Sequence, residues 1–276
     1  MTQTTAAALD APLVRLEDGP VPGVVEIVLN RPDRMNAINV DLVHALIAAG
    51  EEAFARPGLR AVILRGEGRA FCAGLDRSGF EKMMKTGAGS MGADIMERTH
   101  GIANPFQQVC RIWYDAPVPV IAAIHGHCLG GGLQIAIGAD VRIAAPGTKL
   151  SIMELKWGLV PDMGGMPSFA RLLRPDVLRR LVFTAEVIEA EAAQPLGLVT
   201  EIAEDPLARA RALAEEITGR SPSAIRAAKE LILLTEHADD AEVLLAESRL
   251  QKGLIGGSDQ VEAVMAGMQN RPARFA

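Results

Sequence analysis

Three consecutive glycines, Gly130, Gly131 and Gly132, follow an apolar run in the stretch HGHCLGGGLQIAIGAD, His125–Asp140. Glycine is the costliest ordinary residue to order at a helix start, so a triplet there implies both a tight turn and a close approach to the backbone. The N–H groups that open a helix point at whatever approaches, and the helix dipole favours developing negative charge. The spacing excludes the familiar glycine sites. The glycines at 126, 130, 131 and 132 do not form G-x-G-x-x-G, and Leu133 and Gln134 stand where a phosphate loop needs Lys and Ser or Thr. No G-x-S-x-G nucleophile elbow is present. A second glycine turn, AFCAGLD (Ala70–Asp76), occurs earlier and also follows a buried-type strand. Two such turns can each aim one N–H at the same oxygen. That makes an oxyanion hole, in which each donor is typically worth about 2.7–4 kcal/mol in the transition state.

The elements that must carry these turns are legible from periodicity. GVVEIVLN (Gly23–Asn30) is a β-branched strand ended by the turn residues NRPDRMN. VDLVHALIAAGEEAF (Val40–Phe54) has helical apolar spacing, and RAVILRG (Arg60–Gly66) is a continuous buried strand. A helix is predicted near Arg98–Asp115, then a strand in PVPVIAAIHG, a helix opened by the triple glycine, and a strand in DVRIAAP. This alternation predicts α/β architecture with parallel or mixed sheets. From Asp205 onward the pattern turns all-helical. Asp205-Pro206 and Ser221-Pro222 are N-cap and first-turn pairs, and further helices begin near Asp240 and Ser258. The expected organisation is a disordered tail over 1–12, a core over 13–204 and a helical lobe over 205–276.

Composition narrows the function classes. The formal charge is −6 with both signs interspersed, so there is no basic stripe for nucleic acid. No apolar run approaches the roughly 18 residues of a membrane span. The stretch MTQTTAAALDAPL lacks the basic region and apolar core of a signal peptide. Cys72, Cys110 and Cys128 are odd in number and sit in apolar surroundings, which predicts buried thiols in a cytoplasmic protein. His125 and His127 alone do not have zinc-ligand spacing.

Five segments, LNRPDRMNAI, AFCAGLD, IHGHCLGGG, ELKWGLVPDMGG and AAQPLGLVTEI, occur in the order and spacing of the crotonase superfamily, the enoyl-CoA hydratases and isomerases. The resemblance runs from about Val24 to Phe275. It implies a crotonase-like spiral of β-β-α units with a C-terminal all-helical lobe that mediates trimers or dimers of trimers. It implies an acyl-CoA thioester as substrate, with no cofactor besides the CoA the substrate carries. The oxyanion-hole donors implied are the backbone N–H groups of Ala73 and Gly131. The segment Ala73, Gly74, Leu75 and Asp76 would lie along the thioester, and Arg34 and Met35 beside the CoA. Asp76 reads as a turn or helix cap more readily than as a base. Trp157 either walls the acyl pocket or belongs to the core. Lys229 and Lys252 on the lobe are within the range of elements that reach a neighbouring subunit's CoA, though nothing singles them out. The segment FEKMMKTGAGSM reads as an acyl-chain wall or a loop.

The acid/base groups decide the reaction. Hydratases of this kind carry a catalytic glutamate three residues after the middle glycine, and here that position is Gln134, an amide that cannot exchange the proton. The second hydratase glutamate matches Glu154. Asp162, eight residues on, matches an aspartate of the dienoyl-CoA isomerases, and it also suits a turn after Pro161. Three readings follow. The first is double-bond isomerisation through Glu154 and Asp162, and the second is 2-enoyl-CoA hydration by Glu154 with Gln134 orienting water. The third is an acyl-CoA-binding protein without turnover.

Overall fold

The computed structural model describes residues 11–76, 79, 81, 84 and 94–275. The expected N-terminal tail, apart from Ala11 and Pro12, and most of FEKMMKTGAGSM lie outside them. Among the described residues two sheets form. The larger has the order β1 (Val14–Asp18), β2 (Val24–Leu29), β3 (Ala61–Gly66), β4 (Val120–Ile124), β6 (Val141–Ala144) and β9 (Glu201–Ile202). The smaller has the order β5 (His127–Leu129), β7 (Lys149–Ser151) and β8 (Ile188–Glu189). Only β1 against β2 and β7 against β8 are antiparallel.

Two successive units each place one strand in the large sheet, a short strand in the small sheet and then a helical segment. Thus β4 leads to β5 and to the helix at Gly131–Ile137, and β6 leads to β7 and to a 3-10 turn at Glu154–Trp157. The parallel pairing of β5 with β7, and an isolated bridge between Cys72 and Cys128, stack successive units side by side. This is the α/β arrangement of β-β-α units anticipated from the sequence.

The helices of the core are α1 (Val40–Phe54), α2 (Pro105–Tyr114), α3 (Gly131–Ile137), α4 (Met166–Leu172), α5 (Pro175–Thr184) and α6 (Ala190–Ala193). Helix α1 occupies the predicted span and starts where the Asn39 side chain accepts the Leu42 N–H, a cap worth about 1 kcal/mol. Helix α2 is shorter than predicted. Asn104 and Gln107 form a reciprocal capping box with Pro105 at the first helical position, which fixes the start there.

Four helices follow: α7 (Pro206–Thr218), α8 (Pro222–Thr235), α9 (Asp240–Leu254) and α10 (Ser258–Met268). Asp205 and Ser221 cap α7 and α8 as their Ser/Asp-Pro openings predict. The lobe expected from residue 205 onward is not uniform, however. Successive side chains of a strand face opposite sides, so Val62 and Leu64 enter the main core while Ala61 and Ile63 face a second cluster. Ala210 and Ala214 of α7 complete that second cluster, so α7 is the outer layer of the sheet. Helix α8 is tied to the core by Lys229, whose Nζ donates to Val118 O at 3.0 Å and to Asp140 at 2.7 Å. Among the described residues no helix is long and apolar enough to cross a membrane.

Candidate active site

The two glycine turns leave one short ladder together. Phe71 N–H donates to His125 O, Cys72 N–H to His127 O, and Leu129 N–H back to Cys72 O, at 2.9, 2.9 and 3.0 Å. Past this ladder the chains approach too closely for side chains. A Cβ on Gly132 would lie 2.5 Å from Cys72 O, and one on Gly74 (φ +87°) would lie 2.8 Å from Leu129 O. Part of the glycine requirement is therefore the mutual packing of the turns. Gly130 is the one member of the triplet with positive φ, at 52°. Gly131 faces the Met163 thioether and Ile38, with its Cβ position 2.5 Å from Met163 Sδ.

Gly131 is the first residue of α3, so its N–H is one of the orphan donors of a helix start. The expected second donor is not open: Ala73 N–H donates to Met35 O at 2.9 Å. The cause lies in the preceding turn. Met35 and Asn36 both adopt left-handed backbone, at φ 50° and 55°. Asn36 is fully buried; its Oδ1 accepts Arg31 N–H at 2.8 Å, and its Nδ2 donates to Glu67 O at 3.0 Å and Ala70 O at 2.8 Å. That clamp presents the Met35 carbonyl to Ala73.

The geometry indicates a different donor on the same turn. Gly74 O accepts from Ile38 N–H at 2.7 Å, and Asp76 N–H donates to Ile38 O at 2.9 Å. The C=O and N–H of a trans peptide point oppositely, so Leu75 N–H is directed away from Ile38. Among the described residues no backbone carbonyl accepts it. The turn it sits on abuts Leu129 and Gly130. Leu75, placed by sequence only along the substrate, is therefore the residue of this turn whose N–H is left for an oxygen, in place of Ala73.

The acid/base candidates converge on these turns. Gln134 is fully buried on α3. Its Oε1 accepts the N–H groups of Met163 at 2.9 Å and Gly165 at 3.2 Å, and its Nε2 donates to Glu154 Oε1 at 2.6 Å. The Glu154 carboxylate lies against Gly130, with Oε1 3.5 Å from that residue's Cβ position. Its Oε2 is buried and has no partner among the described residues. Burial raises the Glu154 pKa above the ordinary value; the Gln134 amide opposes this, and the Asp162 charge adds to it. Burial likewise raises Asp162, against a hydrogen bond to its own backbone. Gln134, Glu154, Asp162, Met163 and the glycine turns thus form one constellation. A half-buried carboxyl, Glu154, and an exposed one, Asp162, next to orphan N–H donors can move protons beside a polarised carbonyl.

The remaining candidates sit farther out. Arg34 is exposed, and Met35 contributes its carbonyl to Ala73. Trp157 is half exposed, with Lys156 Nζ 5.5 Å from its ring centroid, so it is not ordinary core. Asp76 pairs with Arg31 at 3.0 Å, both side chains being mostly buried. Arg31, which also donates to Ala37 O, went unnoticed in the sequence; the signal was its place directly after a strand in NRP, facing the second turn. Lys229 is buried in its pair with Asp140, whereas Lys252 is exposed. All three thiols are buried, which pushes Cys72 and Cys110 up to about 12 and raises Cys128 as well. They are inert by this measure.

Comparison with known proteins agrees with the motifs. Residues 21–276 match the family model described as enoyl-CoA hydratase/isomerase. The chain is 33% identical over 251 residues to a Mycobacterium tuberculosis protein named "Probable enoyl-CoA hydratase echA8", covering 90% of this chain and 93% of the relative. It is 30% identical over 260 residues to the mitochondrial methylglutaconyl-CoA hydratase of Mus musculus, covering 92% of this chain and 79% of the relative. Among solved structures, the enoyl-CoA hydratase of Mycobacterium tuberculosis H37Rv superposes with a TM-score of 0.83 at 29% identity, covering 96% of this chain and 99% of that one.

Proposed function

Because the chain belongs to the enoyl-CoA hydratase/isomerase family, we propose that it moves a carbon–carbon double bond in an enoyl- or dienoyl-CoA, with Glu154 and Asp162 as the two proton carriers. In this reading the thioester oxygen sits between the N–H groups of Gly131 and Leu75. One carboxylate takes a proton from carbon, and the electron pair spreads into the thioester as an enolate or dienolate held by those donors. The other carboxyl returns a proton at the far end of the conjugated system. CoA enters as part of the substrate.

The observation that carries this reading is the commitment of Gln134. Its carbonyl is taken by two backbone N–H groups and its amide by Glu154, which leaves one N–H for any other work. A residue so engaged is a poor water-positioning group, while the half-buried Glu154 has an exposed carboxylate, Asp162, near enough for its charge to add to the rise in the Glu154 pKa. Hydration of a 2-enoyl-CoA is the second reading, favoured by the hydratase names of the relatives and by that remaining N–H. Incubation of the purified protein with 3,5-dienoyl-CoA and with 2-enoyl-CoA, followed by ultraviolet absorbance, separates them. Conversion of the dienoyl substrate is expected. Water addition alone would overturn isomerisation, and binding without turnover of either would leave an acyl-CoA-binding protein.

The assembly proposed is a homotrimer or a dimer of trimers. Helices α9 and α10 each bury a single residue, Ala246 and Ala266, and expose Leu244, Leu245, Val261, Val264, Met265 and Met268. Apolar surface on that scale calls for a cover.

A further inference from the structure

We propose that Gln134 is a positioning residue that fixes the exchangeable proton of Glu154 on Oε2 and keeps it off Oε1. The inference rests on Glu154 being a proton carrier of the site. Chemistry alone settles the orientation of the amide. The N–H groups of Met163 and Gly165 converge on one end of the side chain, which must therefore be its carbonyl oxygen. The other end is then the NH2 group, 2.6 Å from Glu154 Oε1. Of the two oxygens of a carboxylic acid, the carbonyl oxygen is the better acceptor, so the oxygen facing the amide keeps that role when Glu154 is protonated. The proton goes to Oε2, which is buried and unpartnered among the described residues.

Gln134 is held at both ends of its amide by hydrogen bonds, and the glycine at 165 leaves the space it fills. It is fully buried, and its Cβ and Cγ lie 3.1 and 3.0 Å from the Cβ position of Gly165. It therefore ties three things together: the helix that begins at Gly131, the Glu154 carboxyl and the turn that carries Asp162. During turnover a C–H bond of the substrate breaks, its electron pair enters the thioester, and the proton is taken by one carboxylate. The C–H bond formed at the far carbon takes its proton from the other carboxyl, and the site returns to its starting charge once the two exchange one proton. Throughout, the only Glu154 oxygen that gains or loses a proton is Oε2. The charged groups around Glu154 are few. Asp162 follows on the next turn, and Lys156 on its own turn lies over Trp157. Helix α5, which packs against that turn, carries Arg174 and Arg180, paired with Asp176 and Glu186, together with Arg179.

The test uses the full chain labelled with carboxyl-13C glutamate, the Glu154 resonance being assigned by its loss in Glu154→Gln. In Gln134→Met the donor to Oε1 is gone, so the Glu154 titration midpoint should rise by about one pH unit. For 3,5-dienoyl-CoA, kcat should fall about 100-fold while KM stays within about threefold. In Gln134→Glu the backbone N–H groups keep an acceptor, but the introduced carboxyl donates to Oε1 only while protonated. Activity should then be confined to the acid side of a new midpoint that the natural protein lacks. An unmoved Glu154 midpoint in Gln134→Met would overturn the inference. Should that variant fail to fold, a Gln134→Glu protein with the natural midpoint and pH profile would overturn it equally. The two readings fail separately. A shifted midpoint in a protein that turns over neither thioester keeps this inference and removes isomerisation, and an unshifted midpoint in an active isomerase does the reverse.

Discussion

The constellation around Gln134 and the pair of helices α9 and α10 are opposites in how they are satisfied. Around Gln134 nearly every polar atom has a partner within the chain, and backbones pass so closely that only glycine fits at 74 and 132. Among the described residues, the buried carboxyl oxygen without a partner there is Glu154 Oε2, the atom on which the proposed proton transfer rests. Along α9 and α10 the reverse holds. Leu245 is 71% exposed and Met268 77% exposed, and each helix buries one alanine. One region is satisfied within a single copy of the chain except for one buried carboxyl oxygen. The other has its apolar face turned outward, where the proposed assembly would cover it.

The sharpest way to break this contrast is to remove the open atom's proton chemistry. Glu154→Gln should lower turnover by about three orders of magnitude while leaving acyl-CoA binding nearly unchanged, because the thioester donors are backbone N–H groups. Steady-state kinetics alongside titration of a non-reactive acyl-CoA checks both halves. Asp162→Asn comes next, with an expected loss of about 100-fold in dienoyl-CoA isomerisation. A mild effect on that reaction would remove Asp162 as a proton carrier and leave Glu154 working alone.

Packing of the site should be nearly as sensitive as its chemistry. Gly132→Ala places a Cβ 2.5 Å from the Cys72 carbonyl oxygen, which is backbone and cannot step aside. Overpacking of this kind costs about 1–3 kcal/mol. Thermal unfolding should show that loss, and activity should fall with it because the two donor turns are pushed apart. Gly267→Ala, where nothing lies within 4 Å of the Cβ position, offers the matched control with little change in stability.

The open carboxyl also carries a stability signature. The folded-state pKa of Glu154 is raised above its unfolded value near 4.5, so the native protein favours the protonated form. Its contribution is fully present below pH 4.5 and is lost as pH rises through the folded pKa. Glu154→Gln removes that loss. The variant should match the natural protein near pH 4 and exceed it in stability at neutral pH. Equal pH dependence of the two unfolding curves would contradict this.

What the sequence made legible follows the same divide. Helix α1, the caps at Asp205 and Ser221, both glycine turns and the closeness of Glu154 to Asp162 came from local pattern and from family motifs. The donor on the first turn did not. Ala73 and Leu75 differ only in which way a peptide plane faces, and that is set by Met35, Asn36 and Ile38, far back in the chain. The double engagement of Gln134 was equally hidden, since its Oε1 accepts from backbone N–H groups that lie beyond Pro161. Helix α7 looked like the start of a lobe because its inward face is alanine, which carries little periodic signal, yet Ala210 and Ala214 are what let it lie flat on the sheet.

The gentlest perturbation addresses the outward-facing helices. In an isolated chain Leu245→Ser removes little buried area, and surface changes of this kind stay within about 0.5 kcal/mol. If a second copy of the chain covers α9, the substitution acts on association. The natural protein should then unfold at a temperature that rises with its concentration, since binding between folded subunits stabilises them by mass action. Leu245→Ser should flatten that dependence while leaving the unfolding temperature at high dilution almost unchanged. The site around Gln134 supplies the reference, because Gly132→Ala lowers the unfolding temperature at every concentration by a similar amount. A Leu245→Ser protein whose unfolding shifts equally at all concentrations would place that leucine in the fold of the single chain and erase the contrast between the two regions.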